Sequence, residues 1–479
     1  MFFEDINACH PVVNESDFRG RSERMVTSSY LDRRDSCFLA LHYIIFAVAD
    51  MLVDISAPED RPRTPGWKWW LAADELVGKQ KISGRGDLSL VQFLVFEAFY
   101  LAHADRPDAA YNIAGLMCRL CFQFGLHQQS LWIEERNSYA FHMKQRIFWV
   151  AYFVDRRISM SVGRPHCMRD IDIEVDLPAY ICDRELFPDK PLPPPSPDRS
   201  FMPYLNCMIA FARFGGEIWD SMFSAGLART TPSVETIALL DAKLLHRSST
   251  VLPTVPLMPS HGQPEVRHYR HNNLVRCRIS HLRLLLRRRL MVTLTYGQQD
   301  GRLCGELAID IVQQVLQHHR EARQPSSFRF HIAVSLGGAL MILATLLCRP
   351  LAQVGLQDCQ PAFADNFRNG YALLQDVSTT LQAARRIVDD LKDITSVVMA
   401  LINQPNTAPQ QAPTNYPTNI DKLFAYGPLD FVPQSGYPYE TYQVANGPDG
   451  DAYNFDGWNT YDVAAGADLQ NPGQTGAWL

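Results

Sequence analysis

Two stretches decide the fold: YNIAGLMCRLCFQFGLHQQS, residues 111–130, and AFHMKQRIFWVAYFVDRRISMSVGRPHCMRDIDIEVDLP, residues 140–178. In the first, Ile113, Met117, Leu120, Cys121 and Phe124 fall on one face of a helix, the spacing of a core-facing stripe. Gly125 stands where a left-handed residue ends such a helix, with apolar Leu126 behind it to pack back. In the second, Met143, Ile147, Val150, Val154 and Ile158 form the stripe. Phe148, Trp149, Tyr152 and Phe153 widen it until the helix is apolar nearly all round, which makes it central rather than superficial. Gly163 is its expected stop, and Pro165 prevents continuation.

Working outward, the same helical reading continues. Ser36–Val53 is a strongly apolar helix with His42 inside it, expected as a core or boundary histidine. Trp67, Trp69 and Trp70 open the next helix after a proline-bearing loop. Asp87 or Ser89 caps a helix running to Ala102, and Pro107 or Asp108 starts the helix that ends at Gly125. Residues 1–35 read as an irregular, charge-rich lead-in. Pro178–Ser200 carries seven prolines and reads as extended or disordered. Helices follow over Phe201–Phe223, Ser233–His246, Asn273–Thr295, Gly305–Arg320, Phe328–Cys348, Phe363–Ala384 and Ile387–Asn403. No segment alternates with period two for long enough to demand a strand. The expected fold is therefore all-α: one large multi-helix domain over residues 36–403 in two halves, followed by a tail from residue 404.

Composition sets limits on function. The 479 residues carry a formal net charge of −6 and 47% hydrophobic residues, enough for a large core and too little positive charge for an electrostatic nucleic-acid binder. Eleven cysteines at irregular spacing suggest a reducing compartment rather than a disulfide framework. No secretory signal is visible at the start, and the longest apolar runs are interrupted, so no membrane association is expected. Beyond Asn403 aliphatic residues thin out. From Asp421 to Leu479 the basic residue is Lys422, against eight Asp or Glu, with aromatic residues interspersed, among them Phe455 and Trp458. Such a segment buries too little apolar surface to offset chain entropy and is expected to stay disordered.

Three pieces of the sequence carry a resemblance: Gly125-Leu126-His127; Arg146 and Trp149, with Asp155 following; and Gly163-Arg164-Pro165 leading to Asp170, Asp172 and Leu177-Pro178. In this order and at these separations they resemble the middle regulatory region of fungal zinc-cluster transcription factors. The similarity is close over Ser36–Pro178 and looser to about Asn403. The resemblance implies a nuclear transcription regulator, with DNA as the family's partner and structural roles for these motif positions. It also implies homo- or heterodimers, a small-molecule effector, and transcription machinery as the partner of the acidic tail. The family reads DNA through a six-cysteine zinc cluster opening Cys-x2-Cys-x6-Cys. Here Cys9 and Cys37 alone precede residue 118, so no cofactor is expected in this chain, and zinc only if such a cluster lies upstream. The alternative is a stand-alone helical sensor or dimerisation module.

Cys118-x2-Cys121 has ligand spacing but lies inside a helix with no second pair nearby, and reads as a buried thiol pair. Asp170, Asp172, Glu174 and Asp176 lack the glycine and terminal Glu of a calcium loop, and read as a hydrogen-bonded structural loop. Arg164 is expected to face a carboxylate, Asp155 being the candidate. Arg276, Arg283 and Arg287 flank an apolar stripe, and either contact phosphate or pair with acidic neighbours. No nucleophile elbow, phosphate-binding glycine loop or paired-histidine helix is present, so no enzyme is expected.

Overall fold

The computed structural model describes residues 2–403, less residues 29–31, 33–34, 53–63, 105, 137, 228–231, 253–254, 261–262, 322–328 and 350. The tail with Phe455 and Trp458 lies outside the described residues.

In chain order the α-helices are α1 (Phe2–Asp5), α2 (Glu15–Thr27), α3 (Ser36–Leu52), α4 (Trp67–Val77), α5 (Gln80–Ser83), α6 (Leu88–His103), α7 (Pro107–Gln123) and α8 (Tyr139–Val162). After a long connection come α9 (Met202–Ile218), α10 (Val234–Val251), α11 (Val266–Val292), α12 (Gln298–Glu321), α13 (Arg329–Cys348), α14 (Leu351–Val354), α15 (Gln360–Ser378) and α16 (Gln382–Ile402). The described residues contain no strand, only one isolated parallel bridge, Gln128 to Glu174. The fold is all-α, as the periodicity requires.

Local chemistry sets the helix ends. The Asp87 side chain accepts from the Ser89 N–H at the start of α6, and the Ser138 side chain accepts from Phe141 at the start of α8. Pro107 occupies the first turn of α7. Gly125 (φ 67°) and Gly163 (φ 66°) are left-handed, the conformation a side chain resists.

Packing runs as a chain of neighbours: α4 on α3, α3 on α6, α6 on α7, α7 on α8, α8 on α9, α9 on α11, then α11 on α12 and α12 on α13, with α15 and α16 closing over α13. One continuous apolar core threads both halves. By length and composition α13 could cross a membrane, yet 89% of its apolar window is buried, which makes it the core helix of the second half.

Two stretches differ from the sequence expectation. The lead-in holds α2, capped by the Asn14 side chain accepting from Asp17. Its one strong apolar anchor, Phe18, stacks on His42 at 4.3 Å, while Arg21 lies 3.9 Å over the Phe38 ring. The proline segment is extended and pinned: Ile181 and Leu186 pack on Met143 of α8, and Asn14 Nδ2 donates to the Asp183 carbonyl. His42 is a boundary residue, with Nδ1–H donating to the Phe38 carbonyl and Nε2 2.7 Å from Ser22 Oγ.

Candidate functional site

The motif residues converge on one feature, the face of α8 and the loop that returns along it. At Gly163 the chain reverses. The Arg164 N–H reaches the Ser159 carbonyl at 3.0 Å, and Pro165 directs the loop back antiparallel to the helix. Each successive turn of α8 then holds the loop by one side chain.

Asp155 accepts from the backbone N–H of Cys167 and of Met168, each at 3.0 Å. Arg156 donates through Nη2 to the Met168 carbonyl (2.9 Å) and to Asp170 Oδ2 (3.1 Å). Its Nη1 lies 2.6 Å from His166 Nε2. A guanidinium only donates, so Nε2 accepts and the His166 proton sits on Nδ1. Burial and the Arg156 charge together hold His166 down to about 4, which keeps it neutral. The Tyr152 hydroxyl donates to Asp170 Oδ1 at 2.6 Å, and Trp149 Nε1 donates to the Asp176 carbonyl at 2.8 Å. The spacing 149, 152, 155–156 puts these groups on one helix face, so the ladder follows from helical geometry.

Above the ladder, Arg146 is 1% exposed and ties the N-terminal segment to the proline segment. Its Nε donates to the Pro11 carbonyl at 2.7 Å, and its Nη1 meets Asp183 Oδ1 at 2.5 Å. Leu126 is buried, and Trp132 Nε1 donates to the Gly125 carbonyl at 3.1 Å. The Glu174 N–H donates to the His127 carbonyl (2.8 Å), and the Gln129 N–H to the Glu174 carbonyl (2.7 Å). His127 itself meets the Phe122 ring edge-on at 5.0 Å. Asp172 is held by Arg169 at 2.8 and 3.0 Å, and Pro178 is buried. The four acidic positions thus anchor a loop by hydrogen bonds.

One expected pairing is corrected. Arg164 does not take Asp155. Its Nη2 pairs with Asp108 Oδ1 at 2.7 Å, because the left-handed turn at Gly163 carries residue 164 toward the start of α7, while Asp155 is engaged by backbone N–H groups. Sequence reading also missed Gly215 and Gly216 of α9. A Cβ on Gly216 would stand 2.2 Å from Arg156 Nη1, and one on Gly215 would stand 2.7 Å from Met160 Sδ. Their bareness is what lets α9 lie close on α8 over the buried guanidinium.

Cysteine geometry also differs from the spacing argument. Cys118 meets Cys167 of the loop, and Cys118 Sγ, Cys167 Sγ and an Asp155 oxygen lie within 4.8 Å of one another. Burial raises the Cys118 thiol, whereas the Cys118 hydrogen bond lowers Cys167. Two thiols and a carboxylate are metal donors by type, but this carboxylate already serves the loop. Beside the ladder lies an open depression of about 490 Å³, lined by Phe122, His127, Gln128, Ile171, Asp172, Ile173 and Glu174. Its polar side chains are those of His127, Gln128, Asp172 and Glu174.

The α11 arginines resolve toward pairing. Arg283 grips Asp241 at 2.7 and 3.1 Å, and Arg287 reaches Asp241 Oδ2 at 2.7 Å and Asp300 at 3.2 Å. Burial raises Asp241, but the Arg283 hydrogen bond and the charges of Arg287 and Arg283 outweigh it and hold the carboxyl below its ordinary range. Arg276 points outward.

Residues 1–232, just under half of the chain, match the Fungal specific transcription factor domain, a family of transcription regulators. The match takes in the lead-in and α9 as well as Ser36–Pro178. Among similar proteins, an ABC-transporter-regulating transcription factor of Aspergillus fumigatus is 26% identical over 51% of this chain and 27% of its own length. Its namesake in Aspergillus oryzae is 25% identical over the same shares. A negative regulator of pleiotropic drug resistance from Candida glabrata is 23% identical over 33% of this chain and 15% of that protein. The matched part thus spans about a quarter or less of these relatives. No solved structure matches.

Proposed function

We propose that the protein is a nuclear transcription regulator of a fungus, with its helical domain as a regulatory module and residues 404–479 as an activation segment. The observation that carries this is the family of residues 1–232, supported by relatives named as transcription factors. Motif residues from Gly125 to Pro178 serve as the domain's internal brace. Phe455 and Trp458 dock among acidic neighbours on the transcription machinery, because like charges keep such aromatic side chains exposed. DNA contact is not assigned to α11, whose Arg283 and Arg287 are held by Asp241. It belongs to a zinc cluster or to a dimer partner. The relatives' names make transporter and drug-resistance genes the first targets to test.

Residues 421–479, fused to an unrelated DNA-binding domain, should activate a reporter, and Phe455→Ala with Trp458→Ala should abolish most of the signal. A silent fusion, or one indifferent to both substitutions, removes the activation role. A second reading, a stand-alone sensor or dimerisation module, would then stand on the helical domain alone.

A further inference from the structure

The loop that returns along α8 also leans on one face of α7. Arg164 pairs with Asp108, and the Tyr111 hydroxyl donates to the Pro165 carbonyl at 2.9 Å. The Cys167 thiol lies over Gly115, 3.7 Å from where a Cβ would stand. Cys118 is next on the same face, at the spacing 108, 111, 115, 118. Its sulfur and that of Cys167 lie within 4.8 Å of each other and of an Asp155 oxygen. Asp155 accepts from the Cys167 N–H at 3.0 Å, which fixes the Cys167 backbone beside the helix.

Cys167 stands apart from the other cysteines. Nine of the eleven are buried and Cys359 is partly buried, whereas Cys167 is exposed. Burial raises the thiols of Cys118, Cys121, Cys207 and Cys277, and also that of Cys359. Cys167 is shifted the other way. The hydrogen bond from Cys118 lowers it most, and the charge of exposed Arg119 helps, against burial and Asp155. The thiolate is the reactive form of cysteine, so this accessible thiol is also one that ionises readily. Buried Cys118 cannot meet a reagent from solvent first, but it is placed to meet whatever Cys167 becomes. Burial raises the Asp155 carboxyl, which fits it to take a proton from the neighbouring Cys118 thiol. A metal reading is weaker. Asp155 is already engaged by the Cys167 and Met168 N–H groups, and two thiols fall short of the four ligands of a structural zinc site.

We propose that Cys167 and Cys118 form a hydroperoxide-sensitive thiol pair, in which exposed Cys167 is oxidised first and buried Cys118 resolves it to a disulfide. The Cys167 thiolate attacks the hydroperoxide. An S–O bond forms, the O–O bond breaks, and the departing alkoxide or hydroxide takes up the proton that the thiol had released. Cys167 is then a sulfenic acid, its sulfur oxidised by two electrons, and the hydroperoxide is reduced to an alcohol or water. Cys118 passes its proton to Asp155, and its sulfur attacks that of Cys167. The S–S bond forms, the S–O bond breaks, and the leaving hydroxide takes the proton from Asp155 and departs as water. The sulfurs must close to about 2 Å, and the exposed Cys167 side chain is the one with room to turn. The bond ties the loop covalently to α7, and a thiol reductant reverses it, as suits a reducing compartment. The inference does not rest on the regulator reading.

The test uses the purified full chain, reduced and freed of reductant, then exposed to hydrogen peroxide and separately to tert-butyl hydroperoxide. Non-reducing digestion and mass spectrometry read which cysteines are joined. The expected main disulfide, with at least one oxidant, is a Cys118–Cys167 peptide pair that dithiothreitol releases. Iodoacetamide should alkylate Cys167 at least tenfold faster than Cys359. Cys167→Ser should slow peroxide-dependent loss of thiols at least tenfold, and Cys118→Ala should leave Cys167 as a sulfenic acid that dimedone traps. Mapping on the parent chain decides the matter even where Cys118→Ala does not fold. The proposal is overturned if neither oxidant joins the two cysteines, if another pair joins first, if Cys167 and Cys359 are alkylated alike, or if Cys167→Ser loses thiols as fast as the parent. Such a failure alongside an active tail fusion would remove the thiol pair and leave the regulator reading standing.

Discussion

Arg156 and Arg278 are the same side chain in two different interiors. Arg156 is 2% exposed and is met by a carboxylate, a carbonyl and a histidine acceptor, all from the loop that its own helix begins. Arg278 sits between the halves with a thioether for company. Arg146, Arg270, Arg283 and Arg287 resemble Arg156, each with a carboxylate. The contrast teaches that this fold can complete a buried guanidinium when a rigid loop or neighbouring helix is at hand. Where none is, as at Arg278, the guanidinium is left without a carboxylate among the described residues.

Several substitutions would break or sharpen that contrast. The largest expected effect is at Arg146. Arg146→Met leaves Asp183 buried without its partner and frees the Pro11 carbonyl, and should lower unfolding free energy by about 3–5 kcal/mol in chemical denaturation. Lys81→Met should fall in the same range, because Glu97 is fully buried and Lys81 Nζ lies 2.7 Å from it. Gly216→Ala should cost about 1–3 kcal/mol, since its methyl group would displace the Arg156 guanidinium. Asp241→Asn should show a pH signature. The folded carboxyl lies below its unfolded value, so its stabilisation is present at neutral pH and is lost as pH falls through the folded pKa. The parent and the variant should therefore differ at pH 7 and converge in denaturation curves below about pH 4.

Much of the fold was legible because it depends on neighbours in sequence. Gly125 and Gly163 announced their left-handed turns, Asp87 its cap and Pro107 its first turn. The stripe on α8 correctly marked it as central: Trp149 and Tyr152 are fully buried. The lead-in was misread because α2 is polar and depends on Phe18 reaching His42. The start of α11 was placed late, since Glu265 caps a first turn, Val266 onward, with little apolar content.

The site was less legible because its partners are distant. Nothing at position 146 points to Pro11 or Asp183, and Cys118-x2-Cys121 suggested a neighbour in sequence where the fold supplies Cys167. The Arg164 partner, Asp108, lies 56 residues upstream and is brought near only by the turn at Gly163.

The most direct measurement compares Arg156→Met with Arg278→Met by denaturation of the full chain. The account predicts that Arg156→Met loses about 3 kcal/mol or more, while Arg278→Met loses nothing or gains. Equal losses would contradict it, since they would show that the protein already completes Arg278 as it completes Arg156.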